Sequence, residues 1–293
     1  MKLLRYGPAG AEKPGLLDAD GAIRDLSLEL HDLDAAALAP DALARLRSLD
    51  PTSLPRVPGT PRLGIPFTGT RQFIAVGLNY VDHAAEAGMR VPKEPILFTK
   101  AVSCLQGPDD DVRRPRHSQK MDWEVELGIV IGAVAQYVGP AEALSHVAGY
   151  VIVDDLSERE FQTERGGTWD KGKGCETFGP VGPWLVTPEE IGDVQSLGLW
   201  LDVNGEPMQR GNTSNMIFDC ATLVSYISQF MRLLPGDIIT TGTPPGVGMA
   251  KTPPRFLRED DVVTLGIDGL GQQRHRVIAW DHGRARPTPQ ESA

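Results

Sequence analysis

The sequence is short of cysteine. Its three cysteines, Cys104, Cys175 and Cys220, are far apart and odd in number, which suits neither a disulfide framework nor a zinc knuckle; idle or buried thiols are what remains. Long apolar runs are also missing. The longest, "LGIVIGAVA" at 127–135, falls far short of the roughly 20 residues of a membrane helix. The opening "MKLLRYGPAG" carries no apolar signal region, so a cytoplasmic protein with no membrane partner is expected. Positive charge is in deficit: 29 Lys and Arg stand against 39 Asp and Glu, for a formal net charge of −10. That balance argues against nucleic acid as a partner, because a phosphate backbone is held by Lys and Arg. No internal repeat is visible. "TTGTPPGVG" (240–248) is followed by no Gly-Lys-Ser/Thr and fits no dinucleotide fingerprint, so nucleotide binding is set aside.

What is present fits a globular protein with many strands. The chain has 293 residues, enough for one large domain or one with a small companion. Glycine (32) and proline (24) are frequent, and with short β-branched runs they favour strands and tight turns over a helical bundle. Residues 1–66 read as a small N-terminal α+β domain with its linker. "KLLRYG" and "PGLLDADGAIRDLS" are strands, the second turning at Asp20-Gly21. Residues 34–48 read as a helix that Pro40 interrupts. The stretch 50–66 holds five prolines and reads as a stiff extended linker. Residues 67–283 form the main domain, and 284–293 a disordered tail. Within the main domain a short helix is expected over 81–88, with Asn79 or Asp82 as its cap and Gly88 closing it. An apolar stripe predicts a long helix over 214–234. Hairpins are expected at Asn204-Gly205 and over 260–280.

The chemistry concentrates in "MDWEVELGIVIG" (121–132). Trp123, Val125, Leu127, Ile129 and Ile131 alternate with other residues at the period of a strand, and Asp122, Glu124 and Glu126 share the opposite face. Carboxylates two residues apart stand roughly 6.6 Å from each other, a costly arrangement beside an apolar run. They are salt-bridged to Lys or Arg, or one is protonated, or they bind a cation. "VIVDDLSERE" (151–160) ends a second buried strand with Asp154 and Asp155, and carboxylates without His or Cys select a hard ion such as Mg²⁺ or Mn²⁺. His83 and Glu86, three apart, share a helix face. They are either a solvated surface pair or a general base oriented by a carboxylate. "GTWDKGKGCETFGP" (167–180) is a glycine-rich turn with Lys171 and Lys173.

Taken in order, "GLNYVDHAAE", "DWEVELGIVIG", "GYVIVDDLSEREFQ", "KGCETFGPVGPW", "VNGEPMQRGNTSNMIF" and "LLPGDIITTGTPPGVG" resemble the fumarylacetoacetate hydrolase family over roughly residues 70–280. The resemblance implies a mainly β (α+β) fold, a mixed β-roll or distorted barrel behind a small N-terminal α+β domain. It implies Glu124, Glu126 and Asp155 as ligands of Mg²⁺ or Mn²⁺ and Lys173 as the active-site lysine; Asp122 shares the ligands' face but matches no family ligand, and is expected to support them from behind. Arg159, Gln162 and Thr243 would line the substrate pocket, and His83 with Glu86 would form a lid dyad. Gly77 and Gly88 are plausible hinges for that lid. "DDLSERE" departs from the family's usual "NDVSARD", and Asp154 stands where Asn is frequent. The N-terminal stretch resembles a branch that hydrolyses 2,4-diketo-3-deoxy sugar acids such as L-rhamnonate and L-fuconate derivatives. The implied activity is metal-dependent hydrolysis of a C–C bond in a 2,4-dioxo acid, a 2,4-diketo-3-deoxy sugar acid or an acylpyruvate, to pyruvate and a carboxylic acid. Oxaloacetate-type decarboxylation, hydroxymuconate-type isomerisation and ureidoglycolate lysis are the alternatives on the same scaffold. A homodimer is expected.

Overall fold

The computed structural model describes residues 1–280; the expected tail at 284–293 lies outside them. The chain is mainly β, and its mixed sheets stay open rather than closing into a barrel. The centre of the larger, ten-stranded sheet is Val125–Ile131. Its seven residues are all buried, so the alternating pattern hides a strand covered on both faces, which is why its carboxylates meet so little water. Val147–Asp154 pairs with it antiparallel on one side, Leu127 facing Ile152. Ile238–Thr240 pairs antiparallel on the other, Thr240 facing Gly128. Phe73–Gly77 then joins Ile238–Thr240 in parallel. This order sets the ends of four strands around one spot.

The N-terminal strands continue the same sheet. Lys2–Tyr6 pairs with Gly179–Val186, Leu3 facing Leu185, and the 50–66 segment lies along it through bridges of Tyr6 with Leu63 and Arg24 with Arg56. A second, five-stranded sheet contains the hairpin Gly198–Val203 and Glu206–Asn212. Asn204 (φ +54°) and Gly205 (φ +78°) make its turn, both in the left-handed region that a type I′ turn requires. Val262–Ile267 and Gly271–Ile278 form the expected terminal hairpin. One apolar core runs through both sheets.

The helices are shorter than the sequence suggests. The 214–234 stripe yields only Cys220–Ser228, begun by Asp219, whose side chain accepts from the Thr222 amide. Upstream, Met216 bridges to Tyr80 and the Ile217 amide donates to the Asn79 carbonyl, so the chain is drawn out to meet another segment and cannot wind. Downstream, Leu233 bridges to Ala135. Pro40 begins a helix, Pro40–Arg47, instead of interrupting one; at the first position its missing N–H costs nothing. Val81–Glu86 forms as expected but without a side-chain cap. Asn79 instead ties two strand ends together, donating to the Phe218 and Thr241 carbonyls at 3.0 and 2.8 Å. Gly88 (φ +64°) closes this helix: its amide donates to Ala85 and that of Met89 to Ala84, the double bond of a Schellman turn.

Candidate metal centre and active site

Three carboxylates meet where the central strands end. Glu124 and Glu126 flank Val125 and point the same way, as residues two apart on a strand do. Asp155 directly follows Val147–Asp154, and its amide donates to the Glu124 carbonyl at 2.9 Å, which locks the two strand ends in register. One oxygen from each of Glu124, Glu126 and Asp155 lies within 4.8 Å of the others, and all three residues are buried.

Cations crowd this cluster. Lys173 Nζ donates to Glu124 Oε2 and Asp155 Oδ2, both at 2.6 Å. Arg159 reaches Glu124 Oε1 at 2.6 Å, Asp122 Oδ2 at 2.8 Å and Gln162 Oε1 at 2.9 Å. Burial raises the Glu124 carboxyl, but Lys173 and Arg159 outweigh it and hold the group down at about 2. Glu126 is different. Burial, with Asp155 and Glu124 as negative neighbours, pushes its carboxyl well above the usual range, although Thr240 and the Gly242 amide (2.8 Å) donate to it. The cluster therefore lacks positive charge on its Glu126 side. The donor set is all oxygen, which fits a hard divalent cation such as Mg²⁺ or Mn²⁺ and not a thiophilic one.

Behind the cluster, Asp122 accepts from Arg159 and from the Gly248 and Met249 amides at 2.6 and 3.0 Å. It supports the site without entering it. Asp154 also stays outside: it accepts from the Glu124 amide at 3.1 Å and faces His275 Nε2 at 2.8 Å. Lys171 turns away, its Nζ donating to the Arg165 carbonyl at 2.5 Å.

The short helix closes over this floor. His83 Nδ1 lies 2.9 Å from Glu86 Oε2, and the Gly246 amide donates to both Glu86 oxygens at 2.9 and 3.1 Å. The dyad is thus tied to the TGTPPG loop and is no loose surface pair. Thr243 donates to the Val125 carbonyl at 2.9 Å and accepts from Gln209 at 2.8 Å. His83, Glu86, Glu124, Glu126, Asp155, Arg159, Gln162, Lys173 and Thr243 all line one cavity of about 410 Å³. Gly77 lines it too, but as space for a neighbour: a Cβ there would stand 2.4 Å from the Trp169 ring.

Three supporting residues escaped the sequence reading. Lys100 Nζ lies 2.6 Å from Asp155 Oδ1 and donates to the Lys173 carbonyl at 2.5 Å. Gln209 accepts from the Val125 amide at 3.0 Å while holding Thr243. His275 holds Asp154. Lys100 gives no local signal, His275 stands in a surface-like hairpin, and Gln209 lies in a family motif with nothing local to distinguish it.

Open mixed sheets around a buried acidic cavity, with a histidine on a covering helix, are the frame of an enzyme family. The chain belongs to the fumarylacetoacetate hydrolase family: the family description "Fumarylacetoacetate (FAA) hydrolase C-terminal" matches residues 72–278. A curated relative from Burkholderia multivorans, named "Putative hydrolase", is 59% identical over 274 residues, 93% of this chain and 97% of that protein. Among solved structures, fumarylacetoacetate hydrolase from Exiguobacterium antarcticum is 34% identical with a TM-score of 0.84, over 96% of this chain and 100% of that one. The 2-hydroxyhepta-2,4-diene-1,7-dioate isomerase of Mycobacterium marinum is 30% identical with a TM-score of 0.72, over 97% and 100%. Maleylpyruvate hydrolase from Sphingobium sp. SYK-6, solved with manganese(II) and pyruvate, is 26% identical with a TM-score of 0.79, over 96% and 100%.

Proposed function

We propose that this chain is a divalent-metal-dependent hydrolase that cleaves the C3–C4 bond of a 2,4-dioxo acid, releasing pyruvate and a carboxylic acid. The observation that carries the reading is a single cavity lined both by the buried triad Glu124, Glu126 and Asp155 and by a histidine whose second ring nitrogen is held by a carboxylate. Glu124, Glu126 and Asp155 would hold Mg²⁺ or Mn²⁺, and the ion supplies Lewis-acid polarisation of the 2-oxo group. Glu86 fixes the proton on His83 Nδ1, so Nε2 is free to accept one from water. The water oxygen bonds to C4, the C3–C4 pair leaves as the enolate of pyruvate, and the enolate is protonated at C3. General base help of this kind gives about 10²–10⁴-fold. Lys173 places positive charge where the enolate oxygen develops. Arg159 and Gln162 shape the floor on which the substrate's polar end rests, and Thr243 fixes the loop beside it.

The test is pyruvate release from a panel of 2,4-dioxo acids and oxaloacetate, each with Mg²⁺, with Mn²⁺ and with EDTA. EDTA-sensitive release from a dioxo acid is the expected result. Release from oxaloacetate alone would make the protein a decarboxylase, and silence across the panel would shift the reading to an isomerase or lyase. Glu124→Ala should lose metal binding and turnover together; normal metal binding in that variant would overturn the ligand assignment.

A further inference from the structure

We infer that the substrate's acyl tail is uncharged and apolar, neither a second carboxylate nor a polyol; this rests on the 2,4-dioxo acid reading above. Most of the polar side chains that line the cavity are engaged with one another. Its two cations, Arg159 and Lys173, each hold carboxylates of the acidic cluster. The hydroxyls of Thr163 and Thr243 donate to main-chain carbonyls, Arg159 at 2.8 Å and Val125 at 2.9 Å. Gln162 Oε1 accepts from Arg159, and Glu86 holds His83 and Gly246.

The remaining wall is hydrocarbon and aromatic. Phe98 and Trp169 pack edge to face, ring centroids 5.2 Å apart, and Phe98 sits 5.2 Å from Lys173 Nζ. The apolar surface thus begins beside the acidic centre. Val247 and Ala250 line the cavity as well, together with Met89 and Met249, whose 53% and 43% exposure puts them at the mouth. A terminal carboxylate laid along this wall would lose its water and gain no partner, and hydroxyls would fare likewise. An alkyl or aryl tail gains about fourfold in binding for each buried methylene. Charge at the floor points the same way. The carboxylates Asp122, Glu124, Glu126 and Asp155 face Lys100, Arg159 and Lys173. With a divalent ion added, this group has room for one substrate carboxylate and no call for another.

The experiment compares three 2,4-dioxo acids of equal chain length on the manganese-loaded protein: one with an alkyl tail, one ending in a carboxylate, one bearing hydroxyls. The alkyl compound should show a kcat/KM at least tenfold above the other two. Calorimetric binding of the matching 2-oxo acids, which lack the 4-oxo group and are not cleaved, should give the same ranking. Met249→Lys, which adds a cation at the exposed mouth, should narrow the preference over the carboxylate-ended compound by about tenfold. A wild-type protein that prefers the dicarboxylate or the polyol in both assays would overturn the inference. If no dioxo acid is cleaved, the hydrolase reading fails, and the calorimetric ranking still decides the nature of the tail.

Discussion

Gln209 is fully buried, and its amide joins two segments that the chemistry needs in register. Its oxygen accepts from the Val125 amide at 3.0 Å, and its nitrogen donates to Thr243 Oγ1 and the Pro244 carbonyl at 2.8 and 2.7 Å. The strand that begins at Val125, between Glu124 and Glu126, and the TGTP loop are thus held by one side chain. Gln209→Leu keeps the volume but strands the Val125 amide and the Pro244 carbonyl in a dry site, at a cost of about 2–4 kcal/mol. Thermal denaturation should show a fall in Tm of about 5–10 °C; a fall of less than about 1 °C would mean that other contacts hold the loop. The residues proposed for the chemistry were more legible than those that support them. Glu124, Glu126 and Asp155 sit on or at the end of strands that periodicity reveals, whereas Arg159 and Lys173, on the short helices Arg159–Thr163 and Asp170–Lys173, were carried by the family resemblance. Lys100, Gln209 and His275 acquire their roles only when distant strands pair, and no local pattern encodes that.

At the scale of elements, the short helix Val81–Glu86 shows how a local rule and a long-range contact combine. Its end is written in the sequence, since Gly88 (φ +64°) takes the left-handed turn that the Schellman bonds require. Its anchor is not, because Glu86 is held by Gly246 of a remote loop. The same division explains the failed 214–234 helix: the apolar stripe is real, but long-range bridges of Met216 to Tyr80 and Leu233 to Ala135 override helix propensity at both ends. Hairpins at Asn204-Gly205 and 260–280 were legible because a tight turn is decided by its own residues. The anchor gives Glu86 two separable tasks. Glu86→Gln retains an acceptor for the Gly246 amide and removes the carboxylate charge that faces His83 Nδ1. kcat should fall about 10²-fold, with KM and Tm close to the parent values. A parallel loss of Tm and kcat would show that Glu86 serves only to tie the loop.

For the molecule as a whole, the sequence revealed strands and turns but not which strands would be neighbours. Nothing in "KLLRY" announces that Leu3 will face Leu185, and the prolines of 50–66 announce stiffness, not the surface they lie on. That first strand carries Tyr6, which offers a readout of the N-terminal region. Burial and the neighbouring Asp25 push the Tyr6 hydroxyl up to about 12. Burial also raises Tyr80, whose hydroxyl sits near Glu126, and Tyr150, both above the ordinary tyrosine value. In the unfolded chain these groups ionise near pH 10. Between about pH 10 and 12 the unfolded state therefore releases protons that the folded state retains, and stability falls as pH rises. Below about pH 10 the contribution is fully present. Tyrosinate absorbance from these three residues should thus appear only with unfolding, in step with the loss of near-UV circular dichroism. Tyr6→Phe removes one such group and leaves the strand pairing intact, so the midpoint of alkaline unfolding should move to higher pH. An unchanged midpoint would place the alkaline sensitivity at Tyr150, on the strand Val147–Asp154, and at Tyr80, just before the covering helix, and would leave the N-terminal strands out of the first step of unfolding.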